Sequence, residues 1–262
     1  MSRDLMEIDQ ASWNVSDFRN KNALSVSGHQ HVLHGNAAVT DQKPIPERRP
    51  LATRELKVSI QLANWLAASG VSPNAISIAG MIAGLLSGAA FVGTRLPQSG
   101  WLFFFAAAVL AQLRLLANML DGMVAIKIGR STPVGELFNE VPDRISDTAI
   151  FIGAGYGAGS MPELGFAAAL AAMFTAYVRA EGKVAGAHQE FCGPMAKPHR
   201  MALLTLVAIY SGLAPAAWQP RFDFFGEHGL LSLALLIICF GSILTSIRRL
   251  SRIARTLCRA RP

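Results

Sequence analysis

Between Arg114 and Asp147 the chain places Arg114, Asn118, Asp121, Glu136, Asn139, Glu140, Asp143, Arg144 and Asp147 in stretches that are otherwise rich in apolar residues. Asn118 and Asp121 stand three apart and share one face of a helix. Gly135, Asn139, Asp143 and Asp147 recur every fourth residue and form a slowly drifting stripe. Two oxygen-bearing faces can therefore converge. Oxygen ligands of this kind suit a hard cation such as Mg²⁺, which often bridges protein carboxylates to substrate phosphates. A phosphate-handling site is the chemistry that follows. The same residues could instead form an ion network that only locks helices together, with Glu140 and Arg144 at four-residue spacing as one pair. Arg114, one turn before Asn118, is expected to act as a counter-ion to an acidic residue on the neighbouring helix.

The elements that present these residues read as membrane helices. The chain has 262 residues, 52% hydrophobic and only 16% charged, with a net charge of +7, and its apolar residues are bunched into runs. This excludes an ordinary soluble enzyme, and it excludes disorder, collagen and coiled coil as whole-chain readings. Cys192, Cys239 and Cys258 form no CxxC pair, so neither a disulfide framework nor a thiolate zinc site is indicated. Ser72-Pro73-Asn74 supplies a helix cap and a first-turn proline, and Asn74 to Gly93 is free of charge over roughly the 20 residues that cross a bilayer. Gly80, Gly84 and Gly88 in this stretch have the small-residue spacing that lets helix backbones approach closely. Further spans are predicted near Gly100 to Asp121, Pro133 to Gly157, Pro162 to Tyr177, Met201 to Trp218 and Gly229 to Thr245.

The expected fold is all-α: a polytopic membrane protein with six transmembrane helices and an N-terminal amphipathic interfacial helix. Its organisation reads as a disordered cytoplasmic tail over 1–53, a six-helix membrane domain over 54–247, and a basic cytoplasmic tail over 248–262. His29, His31 and His34 in the first tail form no metal tract, because the segment is polar and aperiodic. The amphipathic helix covers 54–69, with Val58, Leu62, Trp65 and Leu66 on one stripe. It can lie in the membrane interface or pack on its own bundle. Lys127, Arg130, Arg179, Lys183, Lys197, Arg200 and the arginines from Arg248 to Arg261 fall on one side of the six spans, which places both termini in the cytoplasm of a multi-pass cell-membrane protein. Following a span, Arg248, Arg249, Arg252, Arg255 and Arg259 suit anionic lipid headgroups, and no nucleic acid partner is expected.

The pattern Asn118-x-x-Asp121-Gly122-x-x-Ala125-Ile126, followed after eight residues by Gly135-x-x-x-Asn139-x-x-x-Asp143, resembles the signature of the CDP-alcohol phosphotransferase family, D-x-x-D-G-x-x-A-R-x8-G-x3-D-x3-D. The spacing agrees over 26 positions, and Asp121, Gly122, Ala125, Gly135 and Asp143 are identical. Val71-Ser72-Pro73-Asn74, Tyr177-Val178-Arg179-Ala180 and the Gly193-Pro194 loop leading to Lys197 and Arg200 are also family-like. The resemblance implies a membrane enzyme of phospholipid biosynthesis that moves a phosphatidyl or related phosphoalcohol group from a CDP-linked donor, CDP-diacylglycerol for example, to an alcohol acceptor with release of CMP. It implies one or two divalent ions, Mg²⁺ or Mn²⁺, held at Asn118, Asp121, Asn139 and Asp143, with Asp143 also the base that activates the acceptor hydroxyl. Gly122, Ala125, Gly135 and Arg179 would border the substrates. Family members are commonly homodimers, so a homodimer is a further expectation.

Three positions depart from the signature. Asn118 and Asn139 replace ligand aspartates, and an amide oxygen can coordinate a cation but brings no charge. Glu140 and Asp147 are the nearest carboxylates that could compensate. Glu140 is rotated by about 100° around the helix from Asn139, which leaves Asp147 the better placed. Ile126 replaces the arginine, and the adjacent Lys127 points elsewhere on a helix. A register shifted to Asp143 and Asp147 would lose the match at Gly135. Lys183, Lys197, His199 and Arg200, with Arg179, could line a pocket for an anionic acceptor such as glycerol phosphate or inositol phosphate, or could serve orientation alone. An active enzyme is the leading reading. A catalytically silent member that binds nucleotide or lipid is the alternative, and a small transporter is a third.

Overall fold

The computed structural model describes residues 56–129, 133–223 and 227–259. The predicted tail over 1–53, with its histidines, lies outside the described residues, as do Arg54, Glu55, Arg130 and the chain end beyond Arg259. The described residues belong to one compact unit spanning 47–262.

Helix α1, Lys57–Ala68, stops at Ser69 and Gly70, where a φ of 74° suits a residue without a β-carbon. Its Ala63, Leu62 and Leu66 pack with Ile76, Leu120 and Val124, while Val58 and Trp65 stay exposed. Helix α2, Pro73–Gly93, starts as its residues dictate: Ser72 Oγ accepts from the Ala75 amide at 3.2 Å, and Pro73 occupies the first turn. Helices α3, Gly100–Lys127, α4, Pro133–Gly155, α5, Pro162–Val184, and α6, Lys197–Leu213, follow. A one-turn 3₁₀ segment, Ala216–Trp218, leads to a minimal antiparallel ladder of β1, Phe222–Asp223, and β2, Glu227–His228, and then to α7, Leu230–Arg259.

The glycine stripe of α2 is consumed inside the chain. A β-carbon at Gly80 would lie 2.8 Å from Ala117 Cβ on α3. One at Gly84 would strike Ser146 on α4, and one at Gly88 would strike the Ala149 carbonyl on α4. Backbone approach at these three points lets α2 pack against α3 and α4 at once. The main core lies further along the bundle, where Phe91, Phe104, Ile150, Phe151, Met201, Leu204, Leu231, Leu235 and Ile238 interlock among alanines of α3 and α5.

The expectation of six transmembrane helices is not met. All the predicted segments are helical and the architecture is all-α apart from the short ladder. Among the described residues, however, three helices are long and apolar enough to cross a membrane: Pro73–Gly93, Gly100–Lys127 and Leu230–Arg259. Composition explains the difference. Helix α4 carries Glu136, Glu140, Asp143, Arg144 and Asp147, α5 carries Glu163, Arg179, Glu181 and Lys183, and α6 is only 17 residues long. Helix α7 continues without a break through Arg259, so the basic residues from Arg248 to Arg259 extend the last helix.

Candidate active site

The C-terminal half of α3 and the first half of α4 meet beside the start of α2 around a narrow cleft lined by Ser77, Gly80, Met81, Arg114, Asn118, Asp121, Pro142 and Asp143. Helical spacing places Arg114, Asn118 and Asp121 along one side of α3, and Asn139 and Asp143 along one side of α4. Asp121 and Asp143 therefore face the same small space, from two consecutive helices.

Each carboxylate has a different set of partners. The Ser77 hydroxyl donates to Asp121 Oδ2 at 2.5 Å, while Asp121 Oδ1 is buried without a hydrogen-bond partner. Asp143 receives three donors. The Arg114 guanidinium and the Asn118 amide both donate to its Oδ1, and the Lys197 ammonium donates to its Oδ2. Arg114 is fixed in turn by its Nε, which donates to Ser146 Oγ at 2.6 Å, and by Nη2, which reaches the Asp143 carbonyl at 3.3 Å. Pro142 inside α4 removes one helical N–H donor, and the carbonyls of Pro142 and Asp143 both lie within reach of the Ser146 hydroxyl. Asp147, one turn further, is buried and its carboxylate makes no hydrogen bond. Its oxygens lie 3.4 Å from Arg114, 3.8 Å from Lys197 and 4.0 Å from Arg200.

The expected site residues fall into two groups. Asn118, Asp121 and Asp143 line the cleft, and Asn139 joins them because the Asn118 amide donates to Asn139 Oδ1 at 3.0 Å. Gly122, Ala125, Gly135 and Arg179 are not part of the cleft wall. Gly122 is buried beside Asp121, and Ala125 and Gly135 are half-buried. The Arg179 guanidinium donates to Glu140 at 2.6 Å and lies 5.7 Å from the centre of the Phe191 ring. Glu140 also accepts from Arg144 at 2.7 Å. Burial works against the charged form of Glu140, but the guanidinium groups of Arg179 and Arg144 outweigh it and hold the carboxyl below the usual range. Ile126, at the signature's arginine position, is exposed on α3.

No family model matches the chain. The chain is similar to the phosphatidylinositol phosphate synthase of Streptomyces avermitilis, with 26% identity over 205 residues that cover 76% of this chain and 79% of the relative. Its fold is that of the Mycobacterium tuberculosis phosphatidylinositol phosphate synthase crystallised with CDP-DAG bound, with a TM-score of 0.61 and 21% identity over 76% of this chain and 94% of that one. The same mycobacterial protein in complex with manganese and citrate gives a TM-score of 0.60 at 23% identity, over 75% and 88% of the two chains. These similarities agree with the resemblance of the signature to the CDP-alcohol phosphotransferase family.

Against that signature, the donor set of this chain is unusual. Among the described residues no three His, Cys, Asp or Glu side chains are grouped as a metal site. What the cleft offers is two carboxylates and two amides. The unpartnered, buried Oδ1 of Asp121 is the atom that a cation would satisfy, and the amide oxygens of Asn118 and Asn139 are hard donors of the kind Mg²⁺ and Mn²⁺ accept. The residues therefore fit a divalent ion at Asp121.

Ser77 and Ser146 are polar contributors that the sequence did not reveal, since single serines in helical stretches carry no spacing signal. Arg114 takes the counter-ion role expected of it, against Asp143 and Asp147. Lys197 was visible only as one of several basic residues, and its contact with Asp143 is a product of the fold. Arg249 is buried in place of facing lipid: its Nε donates to the Cys192 carbonyl at 3.0 Å and its Nη1 to the Thr175 carbonyl at 2.8 Å.

Proposed function

We propose that this protein is a membrane transferase of phospholipid biosynthesis that moves a phosphatidyl or related phosphoalcohol group from a CDP-linked donor, with CDP-diacylglycerol the leading candidate, to an alcohol, with release of CMP. One observation carries this reading: Asp121, Asn118 and Asp143, predicted from spacing alone to share a phosphate site, line one cleft. The CDP-DAG bound by the mycobacterial neighbour supports the donor class, and its manganese supports a divalent ion here.

In this reading Asp121, with the side-chain oxygens of Asn118 and Asn139, would hold Mg²⁺ or Mn²⁺, while Asp143, already engaged by Arg114, Asn118 and Lys197, serves as the base. Such an ion, when bound, neutralises the donor pyrophosphate and the leaving CMP oxygens. Asp143 accepts the proton of the acceptor hydroxyl as that oxygen bonds to the β-phosphorus and the bond to the CMP oxygen breaks. Arg114 and Ser146 hold the Asp143 backbone and carboxylate in place for that transfer. Gly122, Ala125 and Gly135 keep helix surfaces low near the nucleotide.

The acceptor is a phosphorylated polyol such as inositol phosphate. The named synthases among the relatives support this, as do the basic side chains Arg179, Lys197 and Arg200, which come from α5 and α6 around the acidic groups of α4. The site end of the bundle faces the cytoplasm. The Ser77–Asp121 and Arg249–Cys192 contacts bring the start of α2 and the end of α7 to that end, and the basic residues there support α1 and the last turns of α7 as cytoplasmic. A homodimer does not need the α2 glycines, which are already used, and would form through another face.

The test is CMP release by the full chain in liposomes with CDP-diacylglycerol, Mg²⁺ or Mn²⁺, and a panel of alcohols that includes inositol phosphate and glycerol phosphate. Release with a phosphorylated polyol, lost with EDTA and in Asp121→Asn and Asp143→Asn, is expected. Binding of CDP-diacylglycerol with no CMP from any acceptor would instead identify a silent member.

A further inference from the structure

The carboxylates around Asp143 are already matched by cations of the protein itself. Two buried carboxylates, Asp143 and Asp147, face three cations, Arg114, Lys197 and Arg200, within the contacts given above. Aspartate at positions 118 and 139 would add two negative charges, which is the charge of one divalent ion. Two asparagines leave that ion without its counter-charge. The remaining acidic group is already engaged. Asp143 has a guanidinium and an amide on one oxygen and an ammonium on the other, and Asn118 turns its amide nitrogen, a donor, toward both Asn139 and Asp143. A dication seated against Asp143 would meet Lys197 and Arg114 directly, and like charges at such range repel strongly in a buried site. Asp121 is different, because it lines the cleft and its Oδ1 is buried with no side-chain partner.

Resting on the functional reading above, we propose that the Lys197 ammonium stands in for a second divalent ion: this protein binds one Mg²⁺ or Mn²⁺, at Asp121, and the positive charge beside Asp143 is built into α6. The two asparagines and Lys197 form a single device. A lysine is a compact, mobile cation on a flexible stem, able to leave a carboxylate oxygen for a phosphate oxygen. When Lys197 moves to the donor phosphate, Asp143 Oδ2 is freed to take the acceptor proton, so the same movement neutralises the substrate and exposes the base.

The test counts ions, independently of turnover. Purified full-length protein in detergent is titrated with Mn²⁺ alone, and free Mn²⁺ is read by its electron paramagnetic resonance signal. One ion per chain is expected for the native protein and for Lys197→Arg, which keeps the charge. Two are expected for the triple variant Asn118→Asp, Asn139→Asp, Lys197→Met. Zero or two ions on the native chain would overturn the proposal, and so would a folded triple variant that still binds one. The native and Lys197→Arg counts decide the matter if the triple variant does not fold. One ion on a chain that releases no CMP would remove only the functional reading, and two ions on an active enzyme would remove only this inference.

Discussion

Arg114→Met tests whether the polar centre of the bundle is held by its ion pairs. Arg114 is only 2% exposed, donates to Ser146 and to both the carboxylate and the carbonyl of Asp143, and lies 3.4 Å from Asp147. Methionine keeps much of the stem that packs near Gly84 and removes every polar contact. Deleting one member of a buried pair costs about 3–5 kcal/mol, because the partner charge is left in a poorly solvated site. Lys197 and Asn118 remain on Asp143, so the lower end applies. For a bundle of this size, about 3 kcal/mol lowers the melting temperature by about 6–12 °C. The assay is thermal unfolding in one detergent at one scan rate, read for Arg114→Met, Asp143→Asn and the double variant. The double variant should fall short of the sum of the single losses by about 2 kcal/mol, since it leaves no unpaired charge between the two positions. A melting temperature for Arg114→Met within about 2 °C of the native value, or strict additivity in the cycle, would refute the reasoning.

Four other outcomes follow from single contacts. Ser77→Ala removes the side-chain donor of Asp121 and should cost about 1–3 kcal/mol, visible as a fall in melting temperature that saturating Mn²⁺ largely restores. Gly88→Val drives a side chain into the Ala149 carbonyl where α2 crosses α4, and should destabilise by about 1–3 kcal/mol or prevent a monodisperse peak in gel filtration. Arg249→Met removes two donors from buried carbonyls of Cys192 and Thr175, and should cost about 1.5–3 kcal/mol while opening the loop before α6 to proteolysis. Glu140→Gln, at a half-exposed carboxylate, should change stability by less than about 1 kcal/mol; a fall of several degrees in melting temperature would show that its two arginines are structural keystones.

How much of this could be read from the chain depends on the range of each interaction. Helix starts such as Ser72-Pro73 and the stop at Gly70 are local, and the observed elements fall on the predicted segments. The pairing of Glu140 with Arg144 is an i,i+4 contact and was legible for the same reason. Membrane crossing was not, because apolar length was read through α4, α5 and α6 despite their charges, and hydropathy alone supports three spans. The fate of Arg249 was missed because a basic run after an apolar helix looks alike whether its residues face lipid or cap a neighbouring loop.

Spacing along two helices was enough to nominate Asn118, Asp121, Asn139 and Asp143, since a helix turns by a constant angle and residues three or four apart must share a face. What occupies those oxygens was decided only by the fold. Ser77 on α2 satisfies half of Asp121, and Lys197, 54 residues beyond Asp143, satisfies the other side of the site. Such partners are chosen by how close the glycine-lined backbones of α2, α3 and α4 can approach and by where α6 begins. No local pattern encodes those distances, because they emerge only when the helices pack.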